Sequence, residues 1–281
     1  MTSPSPTVRR RELGARLRAL RTRAGLTVDE VASRMEVSPA KISRIETAAR
    51  GVSVADVRFL CDLYGVTGED RDRLLTMTRD SRRRSWWQQY GLPESLATYI
   101  GLEDAAVSIH QYETSLVPPL LQTEQYARAL ITGAAPDLAA EQVEALVQAR
   151  LTRQCLLTAE QPPELWTVVD EAALHRLVGG TEVMRAQLAA LADRSRPRNV
   201  VVQVIPLEAG AHPGMDSAFA ILQLQEVSDV VYVEGLIGNF YLQNPNDIAR
   251  YRRAFDQLRA IAMSPRDSRD RITALAGALP N

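Results

Sequence analysis

The chain has 281 residues, of which 46% are apolar and 24% charged, with a net charge of −1. That is the profile of a globular protein with room for a small domain and a medium one. No window approaches the roughly 18 uninterrupted apolar residues of a membrane span, and the opening M-T-S-P-S-P-T before Arg9, Arg10 and Arg11 lacks the apolar core of a secretory leader. A cytoplasmic chain with no membrane partner is expected, residues 1–8 forming a disordered tail.

From about residue 10 the sequence reads as a run of short helices. Leu13, Leu17 and Leu20 recur at i, i+4, i+7 and give a buried stripe on a first helix that ends at Gly25. Thr27 opens T-V-D-E, a capping box with Glu30, and Val31, Ala32 and Met35 form the inner face that follows. Glu36 and Val37 break the pattern. Ser38 then caps a third helix with Pro39 at its first position, and Ile42 and Ile45 face inward. A fourth helix starts at Ser53 with Asp56 completing another box; it buries Val54, Val57, Leu60, Cys61 and Tyr64 and stops at Gly65. Thr67 caps a fifth helix carrying Leu74, Leu75 and Met77. An all-α five-helix domain over 9–78 is expected, followed by a polar linker over 79–85. In that linker Arg82, Arg83 and Arg84 read equally well as a phosphate contact or as a solvated face.

The texture changes at Trp86 and Trp87, which read as the first apolar anchor of an α+β domain over 86–281. Val107–Tyr112, Leu165–Val169, Val200–Ile205, Ala218–Leu224 and Val230–Val233 are short β-branched or alternating runs that predict strands. Helices are expected near 122–132, 138–157, 171–177, 181–194, 246–262 and 266–277. Strands and helices do not alternate evenly, which argues against a parallel doubly wound sheet. Cys61 and Cys155 lie far apart in helical segments without a C-x-x-C, so both are expected to be buried and reduced rather than metal-bound or redox-active.

Charge and motif coincide in the head. Residues 1–84 carry 18 Arg and Lys against 11 Asp and Glu, a net of +7, while the remainder nets −8. A basic head on an acidic body points to a polyanion for the head. The second and third helices meet the demands of a helix-turn-helix, in which one helix crosses the backbone and the next enters the major groove. Ala32 permits close packing, Glu36 and Val37 make the turn, and Ile42 and Ile45 leave Pro39, Ala40, Ser43, Arg44 and Thr47 on the open side. Short side chains let the helix enter deeply, Arg44 can bond guanine O6 and N7 in bidentate fashion, and Ala40 can pack on a thymine methyl. Thr27 and Ser38 lie where helix N-termini attract phosphate, and Arg23, Lys41 and Arg50 add charge at the rim. The expected partner is a double-stranded DNA operator.

The stretch L-T-V-D-E-V-A-S-R-M-E-V-S-P-A-K-I-S-R-I-E resembles the helix-turn-helix of the xenobiotic-response-element (XRE) family of phage-repressor-like regulators. In that family the residue after the cap is commonly a phosphate-bonding glutamine, where this chain has Val28. Glycine is usual in the turn where Glu36 stands, which costs strain if the backbone is left-handed there.

In the body, Glu171 and His175 stand at i, i+4 as metal ligands often do, but no third ligand lies nearby. His110, His175 and His212 are scattered and no nucleophile elbow or phosphate-cradling glycine loop occurs, so neither an enzyme nor a metal or cofactor site is expected. Two loops stand out. L-V-P-P-L-L-Q-T carries Pro118, Pro119 and Gln122, and G-A-H-P-G-M-D-S-A-F carries His212, Pro213 and Asp216. Each reads equally as a partner-binding loop or as a core-edge corner and a solvent loop.

These loops, with L-W-T-V-V-D-E-A-A-L, V-V-Q-V-I-P and V-V-Y-V-E-G, resemble an antitoxin-like C-terminal domain (the DUF5753 type) attached to such heads in high-GC Gram-positive bacteria. Its usual proline loop is L-V-P-G-L-L-Q-T, so Pro119 replaces a glycine. The resemblance implies a regulator that binds a small protein encoded nearby. Two classes stay open for the body: a protein-interaction and dimerisation module of a homodimer, or a small-molecule sensor that shifts the head between binding and release.

Overall fold

The computed structural model describes residues 5–225, 227–235 and 238–280. The chain divides into two compact units, Met1–Gln88 and Gln89–Asn281.

The first unit holds α1 (Pro6–Arg23), α2 (Val28–Arg34), α3 (Pro39–Glu46), α4 (Val54–Tyr64) and α5 (Gly68–Asp80). α1 starts earlier than the sequence pattern predicts. Ser5 caps it by accepting from the Thr7 N–H, and Pro6 takes the first helical position, so residues 6–8 are helix rather than tail. The boxes Thr27–Glu30 and Ser53–Asp56 form in full, and Ser38 accepts from the Lys41 N–H at 3.3 Å. Thr67 occupies the N-cap of α5, but its side chain makes no cap bond. The helices close on Leu13, Leu17, Val31, Ala32, Ile42, Ile45, Val57, Leu60 and Cys61, with Leu74, Leu75 and Met77 from α5. Each fully buried aliphatic side chain contributes about 1.5–3 kcal/mol. α5 runs on to Asp80, two residues into the expected linker, and Trp86 and Trp87 fall in this unit instead of opening the second.

The second unit contains α6 (Glu94–Glu103), β1 (Ala106–Glu113), α7 (Glu124–Ala134), α8 (Ala140–Gln154), β2 (Glu164–Asp170), α9 (Glu171–His175), α10 (Thr181–Arg194), β3 (Val200–Ile205), β4 (Phe219–Leu224), β5 (Val230–Glu234), β6 (Asn239–Leu242), α11 (Pro245–Ile261) and α12 (Pro265–Ala278). The strands form one mixed sheet in the order β3-β2-β1-β4-β5-β6. β1, β2 and β3 are parallel, with α7–α8 and α9–α10 in the crossovers; β4, β5 and β6 continue antiparallel from β1. This α+β arrangement is half wound and half meander.

One face of the sheet packs on α11, where Ile248, Phe255 and Leu258 meet Tyr112, Val168, Phe219, Ile221 and Val231. On the other face Tyr99 of α6 meets Tyr232 of β5 at 4.3 Å between ring centroids. α6 and β6 were not anticipated: β6 is four residues long, and α6 carries a glycine in its second half. Two further differences follow from helix ends. The expected helix at 122–132 begins only at Glu124, because Thr123 caps it. The helix at 138–157 gives way after Gln154 to a 3-10 turn over Cys155–Thr158, which leaves Cys155 exposed while Cys61 is buried.

Candidate nucleic-acid interface

The α2–turn–α3 segment is fixed from inside. Ala32 is buried under the turn, and Val37 tucks beneath it with its N–H donating to the Ala32 carbonyl at 2.9 Å. That geometry needs a left-handed residue between the helices, and Glu36 supplies it at φ 54°. A second non-glycine left-handed residue, Ala48 at φ 60°, ends α3 and lets the Arg50 N–H reach back to the Arg44 carbonyl at 3.0 Å. α3 is therefore held between two backbone conformations that L-residues adopt only at a cost.

Two contacts seat α3 against α1. A Cβ on Gly14 would come within 2.7 Å of the Ile45 carbonyl oxygen and 2.8 Å of that of Glu46, so the helices touch backbone to backbone there. The Arg21 guanidinium grips the Glu46 carboxylate at 2.6 and 3.0 Å and donates a third bond to the Leu26 carbonyl at 2.7 Å. The Glu46 bond raises the Arg21 pKa above its ordinary value. Neither contact was read from the sequence. The only trace was a glycine inside the leucine stripe of the first helix.

With Ile42 and Ile45 buried, α3 leaves Pro39, Ala40, Ser43, Arg44 and Thr47 exposed. The Thr47 hydroxyl folds back onto the Ser43 carbonyl at 2.8 Å. Arg23, Thr27, Ser38 and Arg50 are exposed as well. Lys41 is half-buried, its ammonium 3.5 Å from the Asp56 carboxylate, so a phosphate would have to compete with Asp56 for it. Val28 packs against the helical core and brings no side-chain donor outward. Beside Thr27, the Glu30 carboxylate accepts from the Thr27 N–H and hydroxyl at 2.7 and 2.9 Å, which holds it below its ordinary pKa. An anionic Glu30 here narrows any phosphate track past Thr27.

The loop residues proposed for partners separate into interior and surface. Pro118 is buried, Pro119 half-buried, and Gln122 is 0% exposed. Gln122 donates to the Val117 carbonyl at 2.7 Å and accepts from Arg150 at 2.9 Å, while its own carbonyl accepts from Gln154 and Arg194 at 2.7 and 2.9 Å. The side chains of Pro118 and Gln122 are thus a core corner knotting α8 and α10, inaccessible to a partner. The second loop is anchored elsewhere, at the ends of β1 and β2. His212 is nearly enclosed; Nδ1 accepts from the Gly214 N–H at 3.2 Å and Nε2 lies 3.3 Å from Asp170. Of the loop residues, Gly210, Ala211, Pro213, Met215 and Asp216 are exposed.

Glu171 and His175 do approach to 3.3 Å, but Glu171 is 0% exposed and its carboxylate is taken up by Arg271 and the Leu207 N–H at 2.7 and 3.1 Å. It anchors α12. Among the described residues no group of three or more His, Cys, Asp or Glu is placed to hold a metal, and no helix is long and apolar enough to cross a membrane.

Five packed helices presenting an uncovered face on the third define a helix-turn-helix head, a DNA-binding unit whose class is the DNA-binding regulator. Residues 12–74 match the helix-turn-helix domain family. Residues 96–274, well over half the chain, match the family described as a domain of unknown function (DUF5753), and the chain belongs to that family. No curated protein and no solved structure matches the chain.

Proposed function

We propose that this chain is a sequence-specific transcription regulator of the XRE type, an antitoxin-like homodimer of high-GC Gram-positive character whose body is modulated by a small partner protein. The observation that carries the DNA reading is the split of α3: Ile42 and Ile45 are buried while Ala40, Ser43, Arg44 and Thr47 stand open, a single long arginine among short side chains. Arg44 reads a guanine edge, and Arg23, Lys41 and Arg50 contact phosphate. Two heads reading half-sites about one helical turn apart supply the specificity that one small head lacks. Among its basic residues Lys41 is the lone lysine, as a GC-rich genome favours. For the partner, the accessible candidates are Pro213, Asp216 and the half-buried Pro119, with Met215 between them in the loop.

The test starts from operator DNA recovered with the protein from its host. Arg44→Ala should cost about 1–3 kcal/mol and relax preference at one position. An unchanged ratio of operator to scrambled DNA would sink the assignment. Capture from the same host addresses the body. A stoichiometric small protein supports the partner reading, whereas a copurifying metabolite in its place moves the body to small-molecule sensing.

A further inference from the structure

Many polar groups of the sheet unit are claimed by partners far along the chain. At the β3 edge the Val204 N–H donates to the Ser268 hydroxyl at 2.9 Å and the Val204 carbonyl accepts from the Met263 N–H at 2.9 Å. α12 and the turn before it thus take up that strand's outward backbone groups. On α8, Arg153 is held by Glu103 of α6 through two 2.8 Å bonds. Arg150, one turn earlier on the same helix, is not held this way. Its guanidinium donates to the neutral Gln122 amide oxygen at 2.9 Å, and among the described residues no carboxylate pairs with it.

The sheet register shows what faces this guanidinium. Tyr112 packs on α11, so its neighbours Gln111 and Glu113 in β1 face the opposite side, the side of α6 and α8. Gln111 pairs with Ala220 and Ala220 with Tyr232, which makes one row across β1, β4 and β5 on that side. Tyr99 of α6 covers the Tyr232 end of this row. Two residues on, the same register sets Glu113, Ala218 and Glu234 in a second row. β1 and β5 lie two strand spacings apart, about 10 Å, and between them this row carries only the Ala218 methyl group. The result is a recess with Ala218 as its floor, Glu113 and Glu234 on its two sides and Arg150 reaching in from α8. Glu113, Arg150 and Ala218 are half-buried and Glu234 is exposed, so the recess opens to solvent. Burial still dominates its inner charges, pushing the Glu113 carboxyl up to about 8 and the Arg150 guanidinium down to about 10, and each of the two feels the other and Glu234.

We propose that this recess binds a free α-amino acid, its carboxylate on Arg150 and its ammonium between Glu113 and Glu234. The site goes beyond the readings given above and requires neither the operator nor the protein partner. The mixed charge of the recess is what selects the ligand. A plain anion would reach Arg150 only past two acids, and a plain amine would meet the acids only beside the arginine. A zwitterion serves both poles, because its two charged groups sit on one carbon and fill the gap that keeps Arg150 from closing on either acid. The guanidinium fork, with a single neutral partner, has donors left for both oxygens of a carboxylate. Glu113 carries a proton at neutral pH, and an ammonium beside it favours the ionised form, so binding expels that proton to solvent.

The test titrates the full chain at neutral pH with each of the common α-amino acids in turn, at millimolar concentration, by calorimetry. At least one should bind, and its carboxamide and its N-acetyl derivative should each bind about tenfold or more weakly, because each loses one charge-assisted contact. The same titration in phosphate and in Tris buffer should differ in heat by the release of about one proton per ligand, and Glu113→Gln should abolish that difference. Arg150→Met should lose binding. Because it also strips Gln122 of a partner, Ala218→Leu serves as the second variant: it fills the floor, touches no charge and should lose binding as well. Binding by none of the amino acids overturns the site. So does an amino acid that binds as tightly when amidated or acetylated, that still binds after Ala218→Leu, or whose proton release survives Glu113→Gln.

Discussion

The two units are stitched at different ranges. In the helical head the caps that set the backbone are local, Glu30 to Thr27, Lys41 to Ser38 and Asp56 to Ser53, each three residues apart, and the tie of Arg21 to Glu46 spans 25. In the sheet unit the side-chain ties reach far. Arg150, Gln154 and Arg194 meet Gln122 from 28, 32 and 72 residues away, Arg153 meets Glu103 across 50, and Arg271 meets Glu171 across 100. The head is specified turn by turn around an apolar core. The body becomes specific only when distant polar groups find each other, and every one left unmet is costly in a buried setting.

The largest effect should come from cutting a long tie. Glu103 and Arg153 are both buried and joined by two 2.8 Å bonds, with the Arg153 guanidinium also 5.3 Å from the Tyr99 ring. Arg153→Met leaves the Glu103 carboxylate buried without its partner and should destabilise the sheet unit by about 3–5 kcal/mol, with most of it recovered in the double variant Glu103→Leu/Arg153→Met. Urea unfolding followed by a probe in each unit should show the head transition unmoved. A head that melts together with the body would break the comparison.

A smaller effect sharpens the same contrast from the other side. Alanine is the better helix former, yet Gly14→Ala should destabilise the head by about 1–3 kcal/mol, because its Cβ meets two carbonyl oxygens of α3 that cannot move independently. The same variant should weaken operator binding by tilting α3. An unchanged thermal midpoint for the head would mean that α1 and α3 slide past each other freely.

The body should also carry a pH dependence of its own. Burial pushes the Glu113 carboxyl from its ordinary 4.5 up to about 8, with the bond from Gln111 opposing and nearby Glu234 adding to the shift. The folded form thus keeps a proton that the unfolded chain releases near 4.5, so stability falls as pH rises from about 4.5 to about 8 and levels off above that. Glu113→Gln should flatten this slope in urea midpoints taken from pH 5 to pH 9. A slope that survives the substitution assigns the effect to another group.

The smallest expected change is in Lys41. Its pairing with Asp56 is partly exposed, so Lys41→Gln should alter head stability by no more than about 0.5 kcal/mol. Operator and non-operator DNA should both bind more weakly, with the salt slope reduced by about one. A loss confined to one sequence would make Lys41 a base reader.

What could be read from the sequence follows the same division of range. The boxes at Thr27 and Ser53 were legible because cap and partner lie three residues apart, and the five longer strands because their β-branched runs are local patterns. Gln122 was not. In the sequence it is a polar residue after two prolines, and its burial depends on Arg150, Gln154 and Arg194, which nothing near it announces. His212 was likewise read as a surface residue because its partner Asp170 sits 42 positions away. The motif leaves a left-handed turn at Glu36 open as a condition, whereas nothing in the sequence points to one at Ala48, since alanine gives no local hint of positive φ. β6 was missed because four residues make too short a run to show alternation.

The way α12 finishes the β3 edge has a consequence for how the chain is made. Val204 waits for Met263 and Ser268, and the buried Glu171 carboxylate waits for Arg271. During synthesis at about 5–20 residues per second, α9 and β3 therefore leave the ribosome seconds before these later groups reach them. Throughout that interval the nascent body exposes a raw strand edge and an acid still without its arginine, while the head, whose α5 ends at Asp80, is already synthesised through its last helix. A stop codon or proteolytic cut before residue 263 would make that transient condition permanent, leaving an intact reading head on a body prone to aggregate through β3.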